Sequence, residues 1–262
     1  MMINTLDIRK RILELALKAG PSGAHLGGSL SCVEILCSIY ERIDVSNKSE
    51  NRDRVILSKG HGALALYCVL EAIGVMTKDE VETFETNGTH LFAHASRNID
   101  KGIEFSGGSL GLGISFAVGV AIACKSKQLT NNIYVIVGDG ECDEGIFWES
   151  LETINKYKLD NMTIIVDKNG IQADGPTDQV MDLSPLSEKL ASFGLNVMDA
   201  DGHSVEDLKN ALNKTTFGKA KAVIAHTVKG KGVSFMENTA AWHHGVVNQK
   251  KYDKAMEELN AL

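Results

Sequence analysis

Two short stretches of this 262-residue chain end in residues that could hold a metal: Val135-Ile136-Val137-Gly138-Asp139-Gly140-Glu141 and Val166-Asp167-Lys168-Asn169-Gly170-Ile171. In each, an apolar β-branched run stops at a glycine-bearing turn, and Asn169 follows Asp139 by about thirty residues. Two parallel strands would bring that carboxylate and that amide oxygen to one sheet edge. Hard oxygen ligands of this kind suit Mg²⁺, which keeps some waters and shares the phosphates of a substrate or cofactor. The turn after Asn169 could add a backbone carbonyl, that of Ile171. Gly140 permits close approach of a backbone N–H to phosphate, and the helix start after it favours anions. Taken alone, Gly-Asp-Gly more often marks a plain strand-to-helix turn. The Asn at the matching end of a second strand is what changes the reading. Glu141, Asp143 and Glu144 do not fit a calcium-loop pattern, and their plain role is to favour a helix amino end.

The elements that must carry these residues can be read from hydrophobic spacing. Leu6, Ile8, Ile12, Leu13, Leu15 and Leu17 form a helical stripe that stops before Gly20-Pro21. A glycine-rich loop over 23–29 leads to a second helix over 31–42, and 47–53 is a polar turn. Arg54-Val55-Ile56-Leu57 predicts a short buried strand ending at Gly60-His61-Gly62, with a helix after it. Residues 87–109 show no periodicity, and a loop that long in a compact domain is usually functional or poorly ordered. A small-residue helix over 111–124 could pack tightly on a sheet. Strand, helix and strand follow over 133–137, 145–158 and 162–166, then strands near 195–198 and 222–225 with a helix over 205–212 between them. A charged helix over 249–262 ends the chain. Alternating buried strands and helices predict an α/β fold, a doubly wound, mostly parallel sheet with helices on both faces. Such sheets bind ligands beyond the carboxyl ends of their strands, where His61, Asp139 and Asn169 fall. With no repeat and no linker, residues 1–262 read as a single domain.

Composition narrows the partners. A net charge of -7 argues against nucleic acid, whose backbone needs a clustered basic surface. The 44% hydrophobic content and 3 prolines allow a full core. The 5 cysteines form no Cys-x-x-Cys pair and read as buried reduced thiols of a cytoplasmic protein. The amino terminus lacks an apolar signal core, and the apolar run over 114–124 is too short to span a bilayer. No Gly-x-Gly-x-x-Gly follows the first predicted strand, which argues against a dinucleotide-binding protein.

Taken together, these residues resemble a known family. Gly138-Asp139-Gly140 followed by Asp167-Lys168-Asn169-Gly170 looks like the thiamine diphosphate motif, and four further segments resemble transketolases in particular. They are the histidine loop Ser22-Gly23-Ala24-His25-Leu26-Gly27-Gly28-Ser29, the segment Leu57-Ser58-Lys59-Gly60-His61-Gly62-Ala63, the turn Gly108-Ser109-Leu110-Gly111, and Gly230-Lys231-Gly232 with Trp242-His243-His244-Gly245. The match runs from about residue 5 to 250 in the family's order.

The resemblance implies a thiamine diphosphate-binding fold, specifically its diphosphate-binding domain, with thiamine diphosphate and Mg²⁺ as cofactors. Asp139, Asn169 and the Ile171 carbonyl would hold the metal. His61 and the Gly140 backbone would contact the diphosphate, and Gly108, Ser109 and Leu110 would line the path toward the pyrimidine. His25, His94 and His244 would face the sugar and handle hydroxyl protons near neutral pH. Between His243 and His244, the position before Gly245 favours His244. Glu144 and Glu149 match two carboxylates near the interface that links paired active sites, although Glu149 also fits an exposed helix position. His90, His203 and His226 read as ordinary surface or core histidines. Leu26, Gly107 and Leu112 depart from the family's usual Pro, Thr and Gln, which puts sugar specificity in doubt more than cofactor binding.

In transketolases the carboxylate that faces the aminopyrimidine ring comes from a second, pyrimidine-binding domain, beyond the stretch matched here. The chain is therefore expected to be the amino-terminal subunit of a split transketolase, inactive alone. It would need a carboxyl-terminal partner, paired as an α2β2 heterotetramer with twofold symmetry. The implied reaction moves a two-carbon ketol unit from a ketose to an aldose, with sugar phosphates or related acidic sugars as substrates. Two alternatives stay open: a subunit of another thiamine diphosphate enzyme (1-deoxyxylulose-phosphate synthase-like or 2-oxoacid-processing), and a non-catalytic module that kept the fold.

Overall fold

A computed structural model describes residues 2–45 and 48–261, so Met1, Asn47 of the polar turn and Leu262 of the last helix lie outside the described residues. Five strands form one sheet: β1 (Arg54–Leu57), β2 (Ile133–Gly138), β3 (Met162–Lys168), β4 (Asn196–Asp201) and β5 (Lys221–His226). Their order is β1-β2-β3-β5-β4, and every neighbouring pair is parallel. The central strands are buried along nearly their whole length, as a parallel sheet covered on both faces requires.

Side-chain alternation along these strands feeds two cores. Val55, Leu57, Tyr134, Ile136, Ile165 and Val223 point to one, shared with the helices Thr5–Lys18, Val33–Tyr40, Ala63–Ala72, Val205–Asn213 and Gln249–Asn260. Ile56, Val135, Val137, Ile164, Val166 and Ile224 point to the other, beneath the helices Leu112–Ser126, Gly145–Tyr157 and Leu186–Ser192. This is the doubly wound arrangement that the sequence pattern predicts. All five cysteines are buried and free. Among the described residues no helix is long and apolar enough to cross a membrane.

The first helix begins where the Asn4 side chain accepts from the Leu6 and Asp7 amides, and it ends before Gly20-Pro21 as expected. Three features differ from the sequence reading. The expected helix over 31–42 is two pieces, Gly27–Ser31 and Val33–Tyr40, so the last three residues of the expected glycine loop are helical. Gly28 lets the first piece pack directly on His61, since a Cβ there would lie 2.6 Å from His61 Cδ2. Short helices at Lys78–Val81, Thr177–Val180 and Leu186–Ser192 carry too few turns to leave a periodic signal. The aperiodic stretch over 87–109 folds back on itself, with Asn98 and Ile103 exchanging backbone bonds and Gly107 N donating to Ala95 O at 2.9 Å. Buried Leu91, Ala95 and Ile103 pin it to the core, which carries His94 to the sheet edge.

Candidate active site

Strand register brings the oxygen ligands together. Gly138 pairs with Asp167, so β2 and β3 end side by side and Asp139 and Asn169 emerge at one edge. The Asp139 carboxylate accepts from Gly140 N at 2.9 Å and from Gly170 N at 2.6 Å. Asn169 Oδ1 accepts from Ile171 N at 3.1 Å. These groups line a cavity of about 390 Å³ with Gly108, Leu110, Gly140 and the Ile171 backbone. A Cβ on Gly140 would lie 2.3 Å from Gln172 Oε1 and 2.8 Å from Gln172 Cβ, so glycine lets the Gln172 side chain pack directly on this turn. Burial and the neighbouring Asp167 push the Asp139 carboxyl up to about 6, against the pull of the Gly170 and Gly140 amides. A buried carboxylate in that setting gains most from a cation. Among the described residues no cluster of three or more His, Cys, Asp or Glu could hold a metal alone. One carboxylate, one amide and one main-chain carbonyl suit Mg²⁺ that takes its other ligands from phosphate and water.

Below this rim lies a closed polar network. Lys59 and Asp167 are fully buried and ion-paired, and Lys59 Nζ also donates to Gly28 O at 2.9 Å. Asp167 accepts in addition from Ser31 Oγ at 2.6 Å and from Thr227 Oγ1. Burial alone would neutralise both groups, but each holds the other charged: the Lys59 ammonium is raised and the Asp167 carboxyl lowered. Glu141 has a role different from the helix-end one expected. It is buried, accepts from Ser58 Oγ, from Gly111 N at 2.8 Å and from Gly138 N at 3.1 Å, and ties three segments of the rim together.

Five histidines from distant segments converge beside the cradle. The His25 ring centroid lies 4.9 Å from His94, 4.7 Å from His244, 5.5 Å from His243 and 6.1 Å from His61. Burial and its histidine neighbours push His25 down to about 3, and burial with Lys229 pushes His243 down to about 4. His61 is lowered well below its ordinary value, first by burial and then by Lys59. Neutral imidazoles result, able both to donate to and accept from a polyol. His25 Nδ1 is buried without a partner and is free for one more hydrogen bond.

The sites expected from sequence are placed unevenly. Gly108, Leu110, Glu144, His61 and His94 line the cavity, while exposed Ser109 and Glu149 do not. His243 lines it, 5.0 Å from His61, whereas His244 is exposed and meets the His25 ring edge-on. Both histidines therefore belong to the cluster, on different sides of it. Gly107 packs backbone to backbone on Gly60, since a Cβ would meet Gly60 Cα at 2.7 Å. Leu26 is fully buried and Leu112 exposed.

Lys229 escaped the sequence reading. Although its side chain is buried, Nζ reaches the Ile171 carbonyl at 2.8 Å and His243 Nδ1 at 3.2 Å. Burial and Lys59 lower it to about 8. Its signal was positional: it follows β5 at the same sheet edge, one residue before the Gly230-Lys231-Gly232 segment.

An all-parallel sheet with this cradle and histidine cluster at its carboxyl edge defines a diphosphate-binding α/β domain. The family model for the thiamine diphosphate binding domain of transketolase matches residues 5–260. One of the subunits of apulose-4-phosphate transketolase from Phocaeicola vulgatus is 37% identical over 273 residues, covering 99% of this chain and 95% of that one. The 6-deoxy-6-sulfo-D-fructose transketolase subunit of a Clostridium species is 39% identical over 258 residues, covering 96% and 93%. Transketolase from Campylobacter jejuni superposes with a TM-score of 0.86 at 26% identity, covering 99% of this chain but 43% of its own. The chain belongs to the transketolase family, through its thiamine diphosphate-binding domain.

Proposed function

We propose that this chain is the amino-terminal subunit of a cytoplasmic transketolase assembled from two kinds of chain, and that residues 1–262 form its single diphosphate-binding domain. The two subunits compared above span almost the same length and are named as parts of transketolases, which supports this reading. The carboxyl-terminal partner would bring the pyrimidine-binding domain and the carboxylate that faces the aminopyrimidine ring, in an α2β2 assembly. The substrates would be a ketose and an aldose bearing a phosphate or another acidic group, in keeping with the names of those relatives.

The observation that carries the proposal is the pairing of an oxygen cradle with a histidine cluster on one edge. Asp139, Asn169 and the Ile171 carbonyl fit Mg²⁺, and the Gly140 turn with His61 and Lys229, in the lining of the same cavity, fits a diphosphate. When bound, thiamine diphosphate supplies the electron sink that lets a carbon–carbon bond beside a carbonyl break. The chain's own residues would bind and orient around it. His25 has a free nitrogen for a sugar hydroxyl, and His94, His243 and His244 surround the same place. The neutral imidazoles of His25 and His243 can each hydrogen-bond a sugar hydroxyl as donor or acceptor. Glu144 stands exposed at the rim, where a second chain can reach it.

The test is reconstitution. The chain with its pyrimidine-binding partner, thiamine diphosphate and Mg²⁺ should transfer a two-carbon unit between phosphorylated sugars. Full-rate transfer by the purified chain alone would sink the two-chain reading.

A further inference from the structure

The turn that carries Lys229 is gripped from outside the cavity by three residues that touch no part of it. Glu34, buried on the helix Val33–Tyr40, binds Arg9 through both guanidinium nitrogens at 2.5 and 2.7 Å. The same carboxylate holds His203 Nδ1 at 3.1 Å. His203 Nε2 accepts from Val228 N at 2.8 Å, and Arg9 Nε donates to Lys231 O at 3.1 Å. The two ends of the segment 228–231 are thus tied to one buried carboxylate. Gly202 lets the His203 turn lie this close, because a Cβ there would meet Thr227 Cγ2 at 2.3 Å.

The bonding fixes the tautomer. Nε2 accepts an amide proton, so it carries none; the ring proton sits on Nδ1 and donates to Glu34. Glu34 is suited to receive it: burial opposes its charge, but hydrogen bonds from Arg9 and His203 hold it at about 2. A buried lysine needs such support, since desolvation favours an ammonium that swings out to water. The Lys229 side chain is tied at its tip to Ile171 O and His243. Its backbone is held at the middle of the turn by Asn238 N, which donates to Lys229 O at 2.9 Å, and by Gly230 N, which donates to Gly27 O at 3.0 Å, and at the two ends by His203 and Arg9.

We propose that His203, fixed by Glu34 together with Arg9, is a positioning residue that holds the 228–231 turn so that Lys229 presents its ammonium to the cofactor cavity. This rests on the thiamine diphosphate reading above, and it predicts that His203 acts on cofactor affinity only through Lys229.

A double-mutant cycle on the complex of full-length chain and partner subunit tests it, reading thiamine diphosphate affinity by calorimetry at saturating Mg²⁺. Asn at 203 can reach Glu34 but not Val228, and His203→Asn should weaken binding roughly tenfold, as removal of a supporting shell does. Gln places an oxygen near the old Nε2, and His203→Gln should bind within about twofold of wild type. Lys229→Ala should lose more, and adding His203→Asn to it should change nothing further. Losses that multiply, a His203→Asn that melts earlier yet binds normally, or a Lys229→Ala that binds normally would each overturn the clamp while leaving the cofactor reading intact. Should His203→Asn not fold, His203→Gln decides alone, since a tenfold loss there contradicts the proposal. A wild-type complex that binds no thiamine diphosphate would overturn both the clamp and the reading beneath it.

Discussion

Two aspartates one strand apart show how this edge divides its work. Asp167, at the end of β3, is saturated: an ammonium and two hydroxyls close on it, and its carboxyl is lowered. Asp139, at the end of β2, receives only backbone amides and is raised to about 6 by burial and by Asp167 itself. The floor is built for stability, and the rim is left short of positive charge. A cation arriving at the rim relieves a cost that the fold carries without it. This difference assigns opposite consequences to similar substitutions.

The floor gives the largest effect. Asp167→Ala strands Lys59 in a fully buried place, and breaking such a pair costs about 3–5 kcal/mol. Urea unfolding should show that loss; a change below about 1 kcal/mol would erase the distinction between the two aspartates. Asp139→Ala should behave in reverse. The isolated chain should be as stable as wild type or more so, while Mg²⁺-dependent cofactor binding by the complex falls on the order of a hundredfold or more. Loss of stability without loss of binding would turn Asp139 into a second floor residue.

A smaller effect separates packing from binding at the rim. Gly140→Ala pushes its new methyl into Gln172 and should cost ~1 kcal/mol. Adding Gln172→Ala should restore stability but not cofactor affinity, because the methyl still blocks the backbone amide. Recovery of both would show that Gly140 is a packing residue only.

The smallest effect is in the pH profile of the isolated chain. His25, His243 and His61 bind protons less readily folded than unfolded, so their contribution is full above about 6.5 and is lost as pH falls toward about 4. Asp139 has the opposite sign: its raised carboxyl adds stability at low pH, lost as pH rises through about 6. Melting temperatures between pH 6.5 and 4 should therefore fall with acid. His243→Asn should flatten that slope and Asp139→Asn should steepen it; slopes unaffected by either would place the acid sensitivity elsewhere.

Much of this edge could be read from the chain because strands advertise their ends. Asp139 and Asn169 follow apolar runs, and parallel pairing leaves little freedom in where such residues emerge. His25 and His61 announce themselves through flanking glycines, which the structure uses for close packing at Gly28 and Gly60. What could not be read depends on tertiary burial. Lys59 and Lys229 are ordinary surface residues by type, and only their neighbours make them interior cations. Glu141 looked like a helix-start acid because its sequence neighbours are acids, but its partners come from the ends of β1 and the 108–111 turn. His243 and His244 differ by one position, which sequence alone cannot convert into facing the cavity or facing His25. His203 gave no local signal, since its partner Glu34 is 169 residues away.

The cofactor-site assignment requires a metal–diphosphate site at the ends of β2 and β3. Crystals of the chain with its partner, grown with thiamine diphosphate and Mn²⁺ in place of Mg²⁺, would locate that metal by anomalous diffraction. One strong peak is expected, bounded by Asp139, Asn169 and the Ile171 carbonyl. A peak elsewhere, or bound cofactor with no metal against Asp139, would contradict the assignment.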